Sequence, residues 1–257
     1  MNRLGFVIAL LIALPLWAAD KSYSSLKEIQ TAAQKGEASA QYLLGMYYVK
    51  GAGGLPKDFK QAAVWLAKAG DQGDMKAAYS MTLMHEFGDG VEKSSAKALK
   101  WYRIAAANGH PTSLHNIGAA YDDGDGVKQD RAEALKWFHK AAAQGYDRSQ
   151  YNLGLAYAEG DGVKKNLSTA AKYYRACAAQ GNVDAQLNYG VMLALGEGVK
   201  QNLPLAWAWV RASALQGKPK AIQNMQLFER NFSPAEKQAA QVAWQKVAKE
   251  LQANQKR

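Results

Sequence analysis

Glycine closes a similar phrase six times along this chain, at Gly36, Gly73, Gly109, Gly145, Gly181 and Gly217. The spacings are 37, 36, 36, 36 and 36 residues. Self-similarity at such a period marks an array of small units, none of which can bury its apolar face alone. Within each phrase a Gly-x-Gly pair returns at a fixed offset: Gly51/Gly53, Gly88/Gly90, Gly124/Gly126, Gly160/Gly162 and Gly196/Gly198. An aromatic follows each pair, as Trp65, Trp101, Trp137, Tyr173 and Trp209, and an alanine stands three residues before each aromatic. The strict recurrence of these aromatics reads as core.

Each phrase parses as two helices. Ser149, Leu153 and Tyr157, spaced by four, form one stripe of a first helix. The second helix opens after Asp58, Ser94, Asp130, Asn166 or Asn202, whose side chains can accept from the orphan amides of a first turn. The closing glycine suits the left-handed residue that ends a helix.

The phrases "AQYLLGMYYVKG", "SLHNIGAAYDDGDGVKQD" and "SQYNLGLAYAEGDGVKKN", followed by "ALKWFHKAAAQG", resemble the Sel1-like repeat family, a relative of the tetratricopeptide repeat. The resemblance implies an all-α, right-handed superhelical solenoid of five helix-turn-helix repeats, 37–73, 74–109, 110–145, 146–181 and 182–217. Capping helices are expected at 20–36 and 218–257, the latter ending in a basic tail. Ser233-Pro234-Ala235-Glu236 is a helix start, and Ala239, Val242, Ala243, Val247 and Leu251 read as the apolar stripe that covers the array's end. Two departures stand in the second repeat. Thr82 replaces the glycine seen as Gly45, Gly118, Gly154 and Gly190, and His85 replaces Tyr48, Tyr121, Tyr157 or Leu193. A slight splay of that repeat is expected.

By the same resemblance the first helices line a concave groove that holds a partner protein. Its expected lining includes Tyr42, Met46, Tyr79, Leu83, His115, Asp122, Tyr151, Leu155 and Leu187. Tyrosines are frequent binding anchors, although such rings can also pack between repeats as ordinary core.

Chemistry-bearing motifs are sparse. The four histidines, His85, His110, His115 and His139, include no pair spaced by three or four, so no metal site is expected. The turn Asp122-Asp123-Gly124-Asp125-Gly126 fails as a calcium loop, because Tyr121 and Ala132 occupy ligand positions. Ser24-Ser25-Leu26-Lys27 and Ser94-Ser95-Ala96-Lys97 match the Ser-x-x-Lys of penicillin-binding enzymes, without the companion motifs. No catalytic residue and no cofactor is expected. Cys177 reads as a small buried residue or, alternatively, as the partner in an intermolecular disulfide.

Residues 1–19 read as a signal peptide. Arg3 precedes the apolar run from Leu4 to Leu16, and Ala18 and Ala19 offer a cleavage site. The expected location is therefore the periplasm. The formal net charge is +10, with eight basic and three acidic residues in 218–257. The third repeat is −1 and the fifth is 0, so no basic face is expected along the array and nucleic acid is not the expected partner. A solvated basic tail is expected, with contact to an acidic partner or an anionic membrane surface as the alternative. Taken with the resemblance, these features imply a non-catalytic adaptor, regulator or inhibitor, monomeric when free, for example an immunity protein against a secreted antibacterial effector. The alternatives are a penicillin-hydrolysing enzyme and a cell-wall glycan binder.

Overall fold

The structure, a computed structural model, describes residues 23–255. The signal-peptide reading of 1–19, and Lys256 and Arg257 of the basic tail, lie outside the described residues. Thirteen helices and no strand are found among those described. They fall into two compact units, up to Asp130 and from Arg131 on. The first unit holds α1 (Leu26–Gln34), α2 (Ala38–Lys50), α3 (Phe59–Asp71), α4 (Met75–Phe87), α5 (Ser95–Ala107) and α6 (Pro111–Asp123). The second holds α7 (Arg131–Ala143), α8 (Asp147–Glu159), α9 (Leu167–Ala179), α10 (Val183–Leu195), α11 (Leu203–Leu215), α12 (Pro219–Asn231) and α13 (Pro234–Gln255). In each unit neighbours in sequence pack on one another, first helix against second.

Four of the five caps read from the sequence are made. Asp58 accepts from the amides of Lys60 and Gln61, Ser94 from Lys97, Asn166 from Thr169 and Asn202 from Leu205. Ser233 and Glu236 form a reciprocal box at the head of α13, with Ser233 donating to Glu236 Oε2 through both its amide and its hydroxyl and accepting from the Glu236 amide. The first glycine of each Gly-x-Gly pair ends a first helix in the left-handed conformation. The second has a further duty. At Gly90 (φ 70°) a Cβ would lie 2.3 Å from the backbone of Phe59, and at Gly198 (φ 69°) 2.3 Å from that of Leu167. These two loops thus rest on the first turn of the preceding repeat's second helix, at a distance only glycine permits.

A second tie between repeats is polar and was not read from the sequence. Buried Gln41, Gln150 and Gln186 donate to the carbonyls of Ala33, Ala142 and Ala178. Their own oxygens accept from Gln72, Gln180 and Gln216, one repeat-closing position later. Gln180 and Gln216 also donate to the carbonyls of Gly145 and Gly181, and Asn108 does the same to Gly73. Buried amides left unpaired would be costly, so these bonds select a single register.

The core differs from the sequence reading in one respect. Trp101 and Trp209 are buried, but Trp65, Trp137 and Tyr173 are only half-buried. Lys68 lies 4.4 Å above the Trp65 ring and Lys140 4.0 Å above that of Trp137. The position that is buried in every repeat is the next one: Leu66, Tyr102, Phe138, Tyr174 and Val210. It faces the glycine of the first helix wherever that glycine is present in the same unit. A Cβ at Gly45 would strike Leu66 at 2.7 Å, one at Gly154 would strike Tyr174 at 2.6 Å and one at Gly190 would strike Val210 at 2.7 Å. Thr82, which lacks this economy of space, does not splay its repeat: α4 packs on α5 as extensively as α2 on α3. The threonine is fully buried, with its hydroxyl donating to the Tyr79 carbonyl (2.6 Å) and bonding to the Tyr102 side chain. His85 is also buried, its Nδ1 3.0 Å from the Glu92 carbonyl in the following loop.

The C-terminal segment is helical through Gln255 rather than a solvated tail. Ala240 and Val247 are buried and Ala243, Trp244 and Leu251 pack half-buried against the same core, while Ala239 and Val242, expected inside, face solvent. The stripe lies on α11 and reaches α9. Arg175 donates to both Glu250 carboxylate oxygens at 2.8 Å, and Asn254 donates to the Ala179 carbonyl. Cys177 is fully buried, its thiol directed at the Asp147 carbonyl and its pKa pushed up to about 12 by burial and then by Asp147. Ser213, one repeat later, makes the same bond to Val183. The intermolecular disulfide is therefore excluded by burial, and the small-residue reading stands.

Phe138→Ala should cost about 3–5 kcal/mol, the usual loss for a buried aromatic. Trp137→Ala should cost well under that, since its ring is half in water. Chemical denaturation of both variants checks the order, and a larger loss at Trp137 would contradict this account of the core.

Candidate functional site

The residues expected to line a groove separate into two groups. Met46 and Leu187 are in the core, packed respectively with Leu66 and with Val210, and His115 is 9% exposed. Their side chains turn inward, so Met46 and Leu187 are withdrawn as contact residues and His115 offers little surface. Tyr42, Tyr79, Leu83, Asp122, Tyr151 and Leu155 are half-buried, with part of each side chain on the surface.

In the first unit the tyrosines belong to a polar network. The Tyr79 ring lies 4.6 Å from that of His110 and 6.3 Å from that of Tyr102. The Tyr102 hydroxyl donates to Glu86 Oε1 at 2.6 Å and accepts from Asn116 Nδ2 at 2.6 Å. Burial pushes the Tyr102 phenol well up, reinforced by the Glu86 charge. Burial also raises the Glu86 carboxyl, against the opposing effect of the Tyr102 bond. Tyr42 is pushed up to about 12, by burial and then by Asp74. His110 caps α6 by accepting from the Ser113 amide, and burial lowers its pKa. The Asp122 backbone carbonyl accepts from Gln129, which folds the following loop back onto the helix end.

The second unit repeats the pattern. The Tyr151 ring lies 5.9 Å from that of Tyr174, and both hydroxyls bond to the Asn188 side chain. Tyr151, Tyr174 and Asn188 each stand 72 residues after Tyr79, Tyr102 and Asn116, which is two repeats. Burial raises the Tyr174 and Tyr151 phenols alike. These hydroxyls therefore stay neutral. They can donate and accept hydrogen bonds and present flat rings, but they are not poised as bases or nucleophiles. Glu86, Tyr102, Asn116, Tyr174 and Asn188 were not read from the sequence as site residues. The recurring asparagine, at 116, 152, 188 and 224, was the available signal.

A third cluster surrounds His139. Its Nδ1 lies 3.0 Å from the Tyr173 hydroxyl and its Nε2 3.3 Å from the Tyr157 hydroxyl, and these two rings stack at 5.9 Å. A neutral imidazole has one donor and one acceptor, which suits two hydroxyls. Elsewhere the two serines of the Ser-x-x-Lys motifs act as helix-start ligands: Ser24 donates to Glu28, and Ser94 accepts from Lys97, whose ammonium pairs with Glu92. No group of three or more potential metal ligands occurs among the described residues. No helix among them is long and apolar enough to cross a membrane.

Burial holds His139 below its ordinary value of about 6.5, so the folded state binds its proton less readily than the unfolded state. The stability it contributes is complete above about 6.5 and falls as pH drops toward the lowered folded value. His139→Gln keeps a donor and an acceptor for both tyrosines but does not titrate. Melting curves at pH 7.5 and pH 5.5 should show a smaller acid loss in His139→Gln than in the unsubstituted protein. Equal losses would remove His139 from the acid response.

Five consecutive matches to the Sel1 repeat cover residues 38–74, 76–110, 111–146, 147–182 and 183–218. Among solved structures, a protective antigen of uropathogenic Escherichia coli with an SLR fold is 38% identical, with a TM-score of 0.71. The match covers 80% of this chain and 44% of that one. A Sel1 repeat protein from Oxalobacter formigenes is 35% identical, with a TM-score of 0.67, over 79% of this chain and 59% of that one. The chain thus spans less than two thirds of the length of either. No curated protein matches it.

Proposed function

Because this chain belongs to the Sel1 repeat family, we propose that it is a non-catalytic, protein-binding scaffold of the bacterial periplasm, an adaptor, regulator or inhibitor of another protein. Sel1 repeats are generally protein-interaction scaffolds, and the fold is typically non-catalytic. The observation that carries the reading is the pair of Tyr–Tyr–Asn clusters, Tyr79/Tyr102/Asn116 and Tyr151/Tyr174/Asn188, in each of which the half-buried tyrosine and the asparagine come from first helices and the buried tyrosine from the second helix between them. Half-buried tyrosines fixed by hydrogen bonds lose little further freedom on binding, and the neutral hydroxyls beside them suit peptide groups of a partner. Export is proposed from the Arg3, Leu4–Leu16 and Ala18-Ala19 pattern. An immunity protein against a secreted effector is one form that an inhibitor of this kind would take. The bond of Ser24 to Glu28 and the capping of α5 by Ser94 argue against the penicillin-hydrolysing alternative.

The protein is expected to be a monomer when free and to use no cofactor. Captured on a column from periplasmic extract, it should retain a protein partner that Tyr79→Ala with Tyr151→Ala no longer retains, while the variant's helical circular dichroism is unchanged. Retention of the partner by that variant would refute the tyrosine site, and loss of binding to peptidoglycan instead of to a protein would favour the glycan alternative. Mass spectrometry of the periplasmic fraction should find a chain starting at Ala19 or Asp20. A cytosolic chain still carrying Met1 would refute export.

A further inference from the structure

The positive charge of this protein is concentrated in one half and, there, on one kind of helix. Residues 1–130 hold 14 basic and 13 acidic side chains, whereas residues 131–257 hold 18 and 9, a net +9. Within the second unit the first helices α8, α10 and α12 carry three basic and four acidic residues. The second helices α7, α9 and α11, together with α13, carry nine basic and three acidic. The expectation that no basic face exists is thereby corrected for this unit. Summing charge by repeat mixed the two helix types and hid the asymmetry.

The nine cations divide by chemistry. The three arginines are engaged within the fold. Arg131 pairs with Asp161 at 3.0 Å and Arg175 with Glu250 at 2.8 Å, while the Arg211 guanidinium lies 5.0 Å from the Trp207 ring and 4.9 Å from that of Trp244. The six lysines, Lys136, Lys140, Lys172, Lys237, Lys246 and Lys249, are all exposed; Lys136 reaches a neighbouring carboxylate, Glu133, from a side chain that is 69% exposed. Lys136 and Lys172 occupy the same register position one repeat apart. The next occurrence is Ala208, fully buried in the cluster that includes Ala240 and Val247, where α13 lies on α11. So α13 sits on the same outward side, and its own outer stripe of Val242, Lys246 and Lys249 continues the lysine surface. Val242 is 48% exposed, and the half-buried Trp137 ring lies 4.0 Å from the Lys140 ammonium.

We propose that this outward face of residues 131–255 docks on the surface of an anionic lipid bilayer. The cations are strongly hydrated ammonium groups spread over several helices, which answers a diffuse negative potential and not a single shaped anion. The guanidinium forks that would read a phosphate or a base edge in pairs are already committed to Asp161, Glu250 and two tryptophans. The amphipathic Trp137 indole beside Lys140 matches the polarity gradient of a headgroup layer. On α9 the exposed Lys172 belongs to this face while Tyr174 is buried, and the half-buried Tyr151 stands on the first helix α8, so the face leaves the first helices of this unit available to a protein partner.

The test is co-sedimentation of the protein, as isolated from expressing cells, with vesicles of phosphatidylcholine alone or of phosphatidylcholine and phosphatidylglycerol in equal parts. The readout is the increment due to the anionic lipid, which an apolar N-terminal segment would not produce. A lysine at an anionic surface is worth roughly fivefold in partitioning. The increment should therefore fall roughly a hundredfold or more in a variant carrying Lys136→Glu, Lys172→Glu, Lys246→Glu and Lys249→Glu. It should fall by less with Gln at the same four positions, which guards against a folding defect in the charge-reversed chain. It should vanish at a salt concentration that shortens the Debye length to about 3 Å, and it should survive Tyr79→Ala with Tyr151→Ala. Equal sedimentation with both vesicles overturns the proposal, as does an undiminished increment in both lysine variants. Tighter capture by duplex DNA or by polyglutamate than by the anionic vesicles would assign the face to another class of polyanion and also overturn it.

Discussion

The close approach of the second loop glycine to the preceding repeat is the constraint on which the rest of each unit depends. At Gly90 and Gly198 there is no room for a Cβ, because the backbone of the previous second helix occupies its place at 2.3 Å. The contact is backbone on backbone, so side-chain adjustment cannot relax it. It sets how far one helix pair advances on the last, and the buried glutamines then fix the register. Gln186 is fully buried and holds two partners, the Ala178 carbonyl and Gln216. A stack displaced by one residue would leave that amide without either. Sterics set the spacing of the repeats and hydrogen bonds make the spacing unique.

The helix pairs, their caps and their ends were legible because they rest on residue types that act locally. Asp58, Ser94, Asn166 and Asn202 cap wherever they stand before a helix, and glycine takes a positive φ whatever surrounds it. Burial was less legible. The aromatic series that recurs in sequence, Trp65 to Trp209, is partly solvent-exposed, whereas the buried series runs Leu66, Tyr102, Phe138, Tyr174 and Val210. Recurrence of type does not report burial: Trp65 and Trp137 are half-exposed rings covered by Lys68 and Lys140, while Trp101 and Trp209 at the same position are buried. A core position is defined by volume shared with its neighbours and can change identity if those neighbours change with it. Thr82 opposite Tyr102 shows such an exchange, since a hydroxyl bond replaces the close contact that glycine makes elsewhere. The same reasoning explains Met46 and Leu187. The tetratricopeptide analogy supplied the helix but not the rotation of each side chain about it.

The polar positions of the first helices were legible in outline only. Tyr79 and Tyr151 were visible as a repeated residue, but their surroundings depend on partners contributed by other helices. Tyr102 and Asn116 complete one cluster, and Tyr174 and Asn188 the other. Glu86 belongs to the first cluster alone, because the position two repeats later is Ala158. The first cluster therefore contains a half-buried carboxylate and the second does not. Two sites built on one template thus present different chemistry, one with an acceptor of raised pKa and one with hydroxyls and an amide only.

Alternation of helix type also separates two kinds of surface that a linear charge count merges. In the second unit, α9 and α11 carry no acidic residue at all, while α10 carries no basic one. Their loops hold charges of both signs, so a window as long as a repeat averages to near neutrality even though the two faces differ. The final helix sharpens the difference. By covering Ala208 and sandwiching Arg211 between Trp207 and Trp244, α13 removes the outer side of α11 from solvent and replaces it with Lys246 and Lys249. An element that closes the apolar end of a repeat array would serve with any polar outer face. This one is anchored by an arginine–carboxylate pair at Arg175 and Glu250, and its outer stripe holds lysines without an acidic residue between Val242 and Lys249. The inner stripe of α13 is fixed by packing and its outer stripe is not, so the lysines record a property of the surface they form and not a requirement of the fold beneath them.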